Sequence, residues 1–388
     1  MEYVRIGIIG IGNIGSAHAS CLYKKQVEGA KLCALCDTSK KRRTALSSLY
    51  PDIPIFDSAD ALLESNTVDA VIISTPHYDH PEIAIKAFKA GLHVLSEKPI
   101  GVYGKAAKEM VEAAKNSKKI FAVMFNQRTN KLFKEAKKLI FEGRLGELKR
   151  SVWIVTNWYR KQCYYDSGNW RATWSGEGGG VLMNQAPHNL DLWQWICGMP
   201  KEINAVCDVA KYHDIEVEDD ATIFARYENG ATGVFITSTG EYPGTNRLEI
   251  SGTKGKIVIE RGELEFYELP IDESEYRQYP DSEKVKPVIT KISDEPYSGH
   301  LEIIKNFTRA ILYGDDLVAK GEEGLAELSI CNAAYLSAWT GRTISLPLDD
   351  GEYLAELNKK RFLSQSKETT TDSKTTESKY SERWSTNW

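Results

Sequence analysis

The chain has 388 residues, 42% hydrophobic and 27% charged, and 49 Lys and Arg against 54 Asp and Glu give a net charge of −5. That length favours two domains, and the composition excludes a fibre, a wholly disordered chain and a basic nucleic-acid surface. No apolar run reaches the roughly 18 residues of a membrane helix, and the N-terminus enters a strand-like run at once. We therefore expect a cytoplasmic protein that binds neither membrane nor nucleic acid.

Seven cysteines, an odd number in a long chain, argue against a disulfide framework. Cys33 and Cys36 form the closest pair, but they lie in a strand-like run, where residues three apart point to opposite faces. We interpret them as packed core thiols. The seven histidines show no zinc spacing, so we expect no metal site. His77 and His80 fit the polarity of a loop better than a ligand pair.

The first third of the chain alternates short apolar runs with helical patterns. Such alternation is typical of a parallel sheet wound by right-handed crossover helices. One helical pattern begins at Pro81 and stops at Gly91, a residue typical of a helix C-terminus. We predict an α/β domain over residues 1–128 with the strands Val4–Gly10, Leu32–Asp37, Ala70–Thr75, His93–Glu97 and Phe121–Phe125.

After about Asn130 hairpin signals replace the crossover helices. An amphipathic helix is predicted over Lys131–Phe141. Ala221–Thr239 is then interrupted by Asn229-Gly230, the commonest short-hairpin dipeptide, and Leu248–Ile259 repeats the pattern. A third hairpin signal is Arg261-Gly262. We predict an α+β domain with an open-faced, mainly antiparallel sheet over residues 129–348.

Helical patterns return at Leu301–Leu312 and Glu322–Ser337, and we expect both helices to cover one face of that sheet. Residues 349–388 read as a C-terminal extension. From Ser364 onward it is almost free of apolar residues, which predicts disorder. An alternative is an arm that clasps a partner subunit through the aromatic side chains Tyr380, Trp384 and Trp388.

The run Gly10-Ile11-Gly12-Asn13-Ile14-Gly15 follows the first predicted strand and opens a helix, which is the context that a dinucleotide fingerprint requires. Gly10 permits a tight turn, Gly12 lets the backbone approach a pyrophosphate, and Gly15 allows close contact of helix and strand. Asp37 ends the second strand, where a carboxylate accepts hydrogen bonds from the adenosine ribose. This carboxylate favours NAD over NADP. The basic run Ser39–Arg43 is either a solvated helix turn or a group that neutralises a 2′-phosphate, so NADP is not excluded.

The fifth parallel strand ends in Glu97-Lys98-Pro99. The carboxyl ends of strands in a doubly wound sheet line the ligand crevice, which puts Lys98 where chemistry takes place. Beside a nicotinamide ring, a lysine can hydrogen-bond a substrate hydroxyl, stabilise an alkoxide and exchange a proton.

These features resemble the Gfo/Idh/MocA oxidoreductases, which include glucose–fructose oxidoreductase and inositol dehydrogenases. The resemblance covers the chain to about Pro347. That family has an N-terminal Rossmann domain and a C-terminal α/β domain, whose open sheet often serves in oligomerisation. The motifs that carry the resemblance are Gly10–Gly15, Thr75-Pro76 with His80, Ala90–Val94 leading into Glu97-Lys98-Pro99, Asn126-Gln127-Arg128, Trp170-Arg171, and Gly178–Leu182 running to His188 and Asp191.

The resemblance implies that Lys98 is the catalytic lysine and His188 the general acid/base, with Trp170 and Arg171 near cofactor and substrate. It also implies a homodimer or homotetramer formed through the open sheet. Asn184 departs from the family, which commonly has Asp four residues before the histidine. Because Asn exchanges no proton, it only orients a substrate hydroxyl. The remaining residues that the resemblance assigns to the cofactor are Asn13, Ile14, Thr75, Pro76, His80, Glu97 and Asn126.

Local chemistry supports this placement of His188. Pro187 suits the first turn of a helix, so Asn184 and His188 flank its start and Asp191 follows one turn on, able to hold the imidazole. The alternative is a capping or core role for His188 and a structural role for Asp191. Between the domains, aromatic and polar residues favour a carbohydrate or cyclitol site, with Tyr159 and Tyr165 as stacking candidates. Core packing explains these two aromatics equally well.

The sequence therefore predicts an NAD(P)-dependent oxidoreductase acting on a secondary alcohol of a sugar, sugar derivative or inositol. Its predicted substrate-binding residues are Lys98, Tyr159, Tyr165, Arg171, Asn184 and His188. Two other classes stay open. One is a glycosidase or lyase assisted by transient oxidation, and the other is a noncatalytic dinucleotide sensor.

Overall fold

The computed structural model describes residues 2–279 and 284–364. Its first unit holds a six-stranded parallel sheet in the order β3-β2-β1-β4-β5-β6. The order reverses between β1 and β4, and in such sheets ligands bind outside the carboxyl ends of the strands at that point. The strands are β1 Val4–Ile9, β2 Ala30–Cys36, β3 Ile55–Phe56, β4 Ala70–Ile73, β5 His93–Ser96 and β6 Phe121–Val123.

Five helices connect these strands, and the predicted alternation of strand and helix is confirmed. Gly91, just beyond the fourth helix, adopts a positive φ of 77° that suits glycine. The sequence did not reveal β3, because two residues show no periodicity. The helices are α1 Asn13–Tyr23, α2 Lys40–Leu49, α3 Ala59–Glu64, α4 Asp79–Lys89 and α5 Gly104–Ser117, and a 3₁₀ turn follows at Asn126–Thr129.

The second unit contains a nine-stranded sheet in the order β14-β13-β12-β11-β7-β10-β9-β8-β15. Its pairs are antiparallel except that of β7 with β10, so the predicted mainly antiparallel sheet is confirmed. The strands are β7 Leu148–Val155, β8 Glu202–Val209, β9 Glu218–Arg226, β10 Thr232–Ser238, β11 Asn246–Gly252, β12 Gly255–Glu260, β13 Glu263–Glu268, β14 Val288–Ser293 and β15 Ile344–Ser345.

Eight further helices complete the described chain. The amphipathic helix predicted over Lys131–Phe141 has those bounds, and Asn130 caps it by accepting the N–H groups of Leu132 and Phe133. The helices are α6 Lys131–Phe141, α7 Gln162–Tyr165, α8 Val181–Asn184, α9 Pro187–Cys197, α10 Glu273–Tyr276, α11 Gly299–Tyr313, α12 Gly324–Thr340 and α13 Asp350–Leu363, with a 3₁₀ turn at Gly321–Glu323.

The predicted hairpins are all present. β9 and β10 pair antiparallel across Asn229-Gly230, where Gly230 has a φ of 84°. β11 pairs with β12, and β12 with β13, across the second and third hairpin signals. The Arg261-Gly262 turn has positive φ at both residues, as a two-residue hairpin loop requires.

Helix α11 corrects our expectation for the last third of the chain. We expected it to cover the antiparallel sheet, but Ile303, Ile304 and Phe307 are buried in one core cluster with Val4 and Ile6 of β1. The first unit accordingly contains the chain up to Thr129 together with Ser298–Leu328. The physical reason is that the parallel sheet has an apolar face that the α11 residues cover.

Among the described residues, the second unit contains Asn130–Tyr297 and residues 329–364, so the division falls inside α12. Our predicted boundary after residue 128 lies beside this division, whereas the predicted range 129–348 includes a segment that belongs to the first unit. The extension beyond residue 348 begins with α13, which buries Tyr353 and Leu357. The predicted disorder of the tail, and the aromatic arm, concern residues 365–388, which lie outside the described residues. No helix in the described ranges is long and apolar enough to cross a bilayer.

Candidate functional site

The glycine loop between β1 and α1 is held by backbone contacts. Gly10 adopts a φ of 88°, and a Cβ there would lie 2.8 Å from the backbone of Ser74 and Thr75. A Cβ on Gly15 would lie 2.0 Å from the Gly10 carbonyl oxygen. In contrast, a Cβ on Gly12 would meet nothing within 4 Å. Gly12 also stands at the N-terminus of α1 with no side-chain cap, so the loop offers an open backbone surface and free N–H groups to an anion.

Asp37 lies at the end of β2 and is joined to this loop. Its Oδ2 accepts the N–H of Ile11 at 3.0 Å, and its Oδ1 accepts the N–H of Ser39 at 2.8 Å. Each carboxylate oxygen keeps a second lone pair for a ribose hydroxyl. From the basic run, Arg42 lies 3.8 Å from Asp37, and Arg43 donates to the carbonyls of Asp37 and Thr38. The basic run thus supports the strand end that carries Asp37.

Two buried polar atoms that follow strands of the parallel sheet have no hydrogen-bond partner among the described residues. They are Oγ1 of Thr75, after β4, and Oδ1 of Asn126, after β6. Both follow strands whose carboxyl ends lie on the side of the sheet where ligands bind. Unsatisfied buried polar groups of this kind indicate a ligand, because leaving them dry is unfavourable. Together with the open backbone at Gly12 and the carboxylate of Asp37, they fit a bound dinucleotide. Asn13 and Ile14 form the first turn of α1, and Pro76 follows Thr75.

His80 contacts two backbone carbonyls. Its Nδ1 lies 2.7 Å from the oxygen of Pro99 and its Nε2 lies 2.8 Å from the oxygen of Thr75. Burial lowers the pKa of His80, against the opposing effect of these two contacts. A neutral imidazole has one N–H and donates to one of these carbonyls, and the ring lies between the loop after β4 and the loop after β5. His80, a predicted cofactor residue, thus contacts the backbone of Thr75 and of Pro99, the residue after Lys98.

Glu97 is buried directly before Lys98. Its Oε1 lies 2.8 Å from Nε2 of His18, and its Oε2 accepts the backbone N–H of Lys98 at 3.3 Å. Burial acts to raise the pKa of Glu97, but His18, with charges on His300 and Lys98, outweighs it and lowers the pKa to about 2. The charged carboxylate therefore joins α1 to the strand end that carries Lys98. His18 and His300 did not emerge from the sequence, because each is an isolated histidine in a helical pattern.

His188 lies in the first turn of α9, directly after Pro187, and is 4% exposed. Trp158 donates to the neighbouring Asn189, and Asp191, which is buried, accepts a hydrogen bond from Gln194. The predicted helix start at Pro187 is confirmed. These contacts hold the first turn of α9, and with it His188, in place.

Glu218 and Tyr335 support the glycine turn that leads to His188, and sequence analysis did not find them. Glu218 is buried at the start of β9 and accepts the N–H groups of Gly180 and Leu182 and the hydroxyl of Tyr335. A Cβ on Gly180 would lie 1.8 Å from the Glu218 carbonyl oxygen. Burial raises the pKa of Glu218 to about 7, against its hydrogen bonds, which lower it. No local signal distinguishes Glu218 from the acidic residues that follow it.

Arg171, Asn184 and Glu177 meet around Tyr164. The Arg171 guanidinium stacks 4.6 Å from the Tyr164 ring and 4.6 Å from the Trp170 ring, and its Nη1 donates to the Tyr164 hydroxyl. Nδ2 of Asn184 donates to Glu177 and to Tyr164, and Glu177 is 3.7 Å from Arg171. The structure therefore brings together the predicted residues Trp170, Arg171 and Asn184.

The two aromatics chosen from the sequence lie elsewhere in this unit. Tyr165 is 2% exposed, and its hydroxyl shares a hydrogen bond with Thr239. Burial raises the pKa of the Tyr165 phenol. Tyr159 is 40% exposed, and its ring packs against Tyr242. The packing alternative fits Tyr165 in particular, whereas Tyr164, beside it in the chain, has the polar surroundings of a binding residue.

No group of three or more His, Cys, Asp or Glu is arranged to hold an ion within the described ranges. All seven cysteines are free, and burial raises the pKa of Cys36 to about 12. The buried Cys36 thiol is therefore an unreactive packing group.

Comparison with known protein families agrees with the geometry. Residues 4–125 match the family model described as oxidoreductase family, NAD-binding Rossmann fold, and residues 133–258 match the model described as GFO/IDH/MocA C-terminal domain. The chain belongs to the Gfo/Idh/MocA oxidoreductase family. The resemblance stated from its motifs is confirmed, and the first unit is its NAD-binding Rossmann domain.

Named relatives match most of the length of this Gfo/Idh/MocA protein. Myo-inositol 2-dehydrogenase of Thermotoga maritima is 27% identical over 88% of this chain and 98% of that enzyme. Inositol 2-dehydrogenase of Rhizobium meliloti is 26% identical over 88% and 99%. Among solved structures, the WlbA dehydrogenase of Bordetella pertussis in complex with NADH and UDP-GlcNAcA has a TM-score of 0.75 and 29% identity, covering 89% of this chain and all of that one.

Proposed function

We propose that this protein is an NAD-dependent dehydrogenase that moves a hydride between the nicotinamide ring and a secondary alcohol carbon of a sugar, sugar derivative or inositol. The observation that carries the proposal is Lys98, at the end of β5 of an NAD-binding domain and held by buried Glu97. The named activities of the two inositol 2-dehydrogenases support this substrate class.

Lys98 and His188 are the catalytic residues in this proposal, on the strength of the family motifs. Bound NAD supplies the site that accepts or donates the hydride. The Lys98 ammonium hydrogen-bonds the substrate hydroxyl and stabilises the alkoxide that develops as its proton leaves. The His188 imidazole takes that proton during oxidation and returns it during reduction. Asn184 exchanges no proton and holds a hydroxyl in place.

A panel of sugars, glycosides and inositols, followed at the NADH absorbance, tests the proposal. We expect turnover on a polyol, and a decrease in kcat of about 100-fold or more for Lys98→Ala and for His188→Ala. NADH affinity should change little in the second variant. Lys105→Ala, an exposed lysine of α5, is the matched control. Unchanged kcat in both variants would show that the catalytic assignment is wrong, and cleaved glycoside without net NADH would favour the redox-assisted lyase.

We further propose that the second unit binds the substrate and joins two or four subunits through the open face of its sheet. Phe224 is 38% exposed and Val206 is 59% exposed on neighbouring strands. Phe224 of β9 pairs with Val234 of β10, and Val234 pairs with Val152 of β7. The side chains of Phe224, Val234 and Val152 therefore form an apolar row on one face of the sheet. Exposed apolar rows of this kind favour association.

A cytoplasmic location completes the proposal. Seven free thiols in one chain suit a reducing compartment. Fractionation of the source cells, with detection of the protein by antibody, checks it.

A further inference from the structure

The hydroxyl of Tyr164 is the meeting point of three side-chain donors. Arg171 Nη1 lies 2.8 Å away, Asn184 Nδ2 3.2 Å and Gln185 Nε2 3.3 Å. Three donors are more than the two lone pairs of a phenol oxygen can accept individually, so this oxygen has no acceptor capacity left. Among the described residues none accepts the proton of this hydroxyl. Tyr164 therefore has one donor to offer to a bound molecule.

The orientation of Asn184 is set by Glu177. The carboxylate only accepts hydrogen bonds, so the Asn184 amide turns its NH₂ group toward Glu177 and, with it, toward Tyr164. An aspartate at position 184, the residue that the family commonly has, would instead accept the Tyr164 proton. The Asn at this position is thus what leaves the phenol proton available.

Two cations flank the Tyr164 ring. Besides Arg171, the guanidinium of Arg160 lies 5.2 Å from the ring centroid and 5.8 Å from that of Trp158. Arg160 Nη1 donates to the Tyr159 carbonyl. No carboxylate among the described residues forms a salt bridge with Arg160, whereas Arg171 has Glu177 at 3.7 Å. Around Tyr164 two positive charges therefore face one carboxylate.

We propose that Tyr164 and Arg160 bind a carboxylate of the substrate, so that the substrate is a sugar acid, an aldonate or uronate, oxidised at a secondary alcohol. This inference rests on the proposed dehydrogenase function. A guanidinium and a phenol hydroxyl together match the two oxygens of a carboxylate, and charge-assisted bonds of this type are the strong ones. Stacking on Trp158 and Tyr164 holds the Arg160 fork in place before the ligand arrives.

Matched pairs of substrates, each assayed with NAD, test the proposal: glucuronate with glucose, galacturonate with galactose, and gluconate with sorbitol. Glucose 6-phosphate is assayed separately as a substrate whose anion is not a carboxylate. In at least one pair we expect kcat/KM for the acid to exceed that for the neutral partner by about tenfold or more. Arg160→Gln should raise KM for the acid about tenfold and change KM for the neutral partner less than about twofold, and Tyr164→Phe should also raise KM for the acid about tenfold.

Arg277→Gln and Tyr279→Phe are matched controls, since both residues are exposed in or just after α10. They should leave both KM values unchanged. Turnover confined to neutral sugars or to the sugar phosphate would overturn the sugar-acid proposal and leave the dehydrogenase function standing. Equal losses on acid and neutral substrate would show that Tyr164 and Arg160 are structural. Absence of turnover on every compound, with NADH still bound, would overturn the proposed function itself.

Discussion

Gly10, Gly12 and Gly15 look alike in the fingerprint, but each has a different physical task. Gly10 and Gly15 are required by the protein itself, because a side chain at either position would overlap backbone atoms. Gly12 has open space around its Cα, so nothing in the protein demands a glycine there. We propose that the demand at Gly12 comes from the dinucleotide, whose pyrophosphate would approach that backbone.

This difference separates two substitutions. Gly12→Ala should keep the melting temperature of the wild type and weaken NADH binding about tenfold or more, because the added methyl group occupies the pyrophosphate position. Gly15→Ala should lower the free energy of unfolding by about 2 kcal/mol or more, since its Cβ meets the Gly10 carbonyl. Thermal unfolding and NADH titration of both variants check this. A destabilised Gly12→Ala with normal NADH affinity would contradict the assignment.

Tyr159, Tyr164 and Tyr165 show what residue type alone fails to decide. All three lie in one aromatic and polar stretch, and the sequence favoured Tyr159 and Tyr165. Tyr164 and Tyr165 are neighbours in the short helix α7, which turns one side chain into the core and the other toward Arg171 and Asn184. The direction of each ring depends on the turn of the chain, which no local signal revealed.

At the scale of elements, the turn before α8 depends on a residue from β9. Glu218 accepts two backbone N–H groups of that turn, and its ordinary pKa of 4.5 rises to about 7 because it is buried. Between pH 4.5 and about pH 7, Glu218 therefore binds a proton in the folded protein more often than in the unfolded chain. The stability of the protein must fall as the pH rises through that range, by about 3 kcal/mol for this group.

Glu218→Gln removes this titration. The free energy of unfolding of the wild type, measured in urea, should decrease from pH 5 to pH 8 by about 3 kcal/mol relative to that of Glu218→Gln. The amide of the variant has one acceptor oxygen instead of two, so one backbone N–H loses its partner. This loss lowers the free energy of unfolding of the variant equally at every pH and leaves its dependence on pH unchanged. Glu228→Gln, 85% exposed at its side chain, is the control and should follow the wild type. Parallel curves for wild type and Glu218→Gln would show that Glu218 does not titrate in this range.

At the scale of the whole chain, the first unit is completed by α11, which begins at Gly299, whereas the last strand of that unit ends at Val123. Phe307 of α11 is fully buried in the core that β1 begins. Phe307→Ala should reduce the free energy of unfolding by about 4 kcal/mol. Phe362→Ala, at an 89% exposed position of α13, should change it by less than about 0.5 kcal/mol. Urea unfolding of both variants checks this, and equal effects would contradict the placement of α11.

The open sheet face gives a prediction about assembly. Phe224→Asp places a charge in the apolar row and should convert the proposed oligomer to a monomer with little change in melting temperature. Val288→Asp, in the edge strand β14 and 63% exposed, is the control and should keep the wild-type mass. Light scattering after gel filtration measures both. A Phe224→Asp protein of unchanged mass would place the subunit contact elsewhere.

The sequence by itself determined the parallel sheet, the hairpins, the α6 and α9 starts and the dinucleotide fingerprint, because each depends on periodicity, turn residues or caps within about a dozen residues. It also placed Asp37 and Lys98 at strand ends. Only the tertiary structure decided that α11 belongs to the Rossmann unit, that Glu218 and Tyr335 support the turn before His188, and that Tyr164 is the aromatic surrounded by donors. These depend on contacts between residues far apart in the chain, where burial and hydrogen-bond partners are set by how the elements pack.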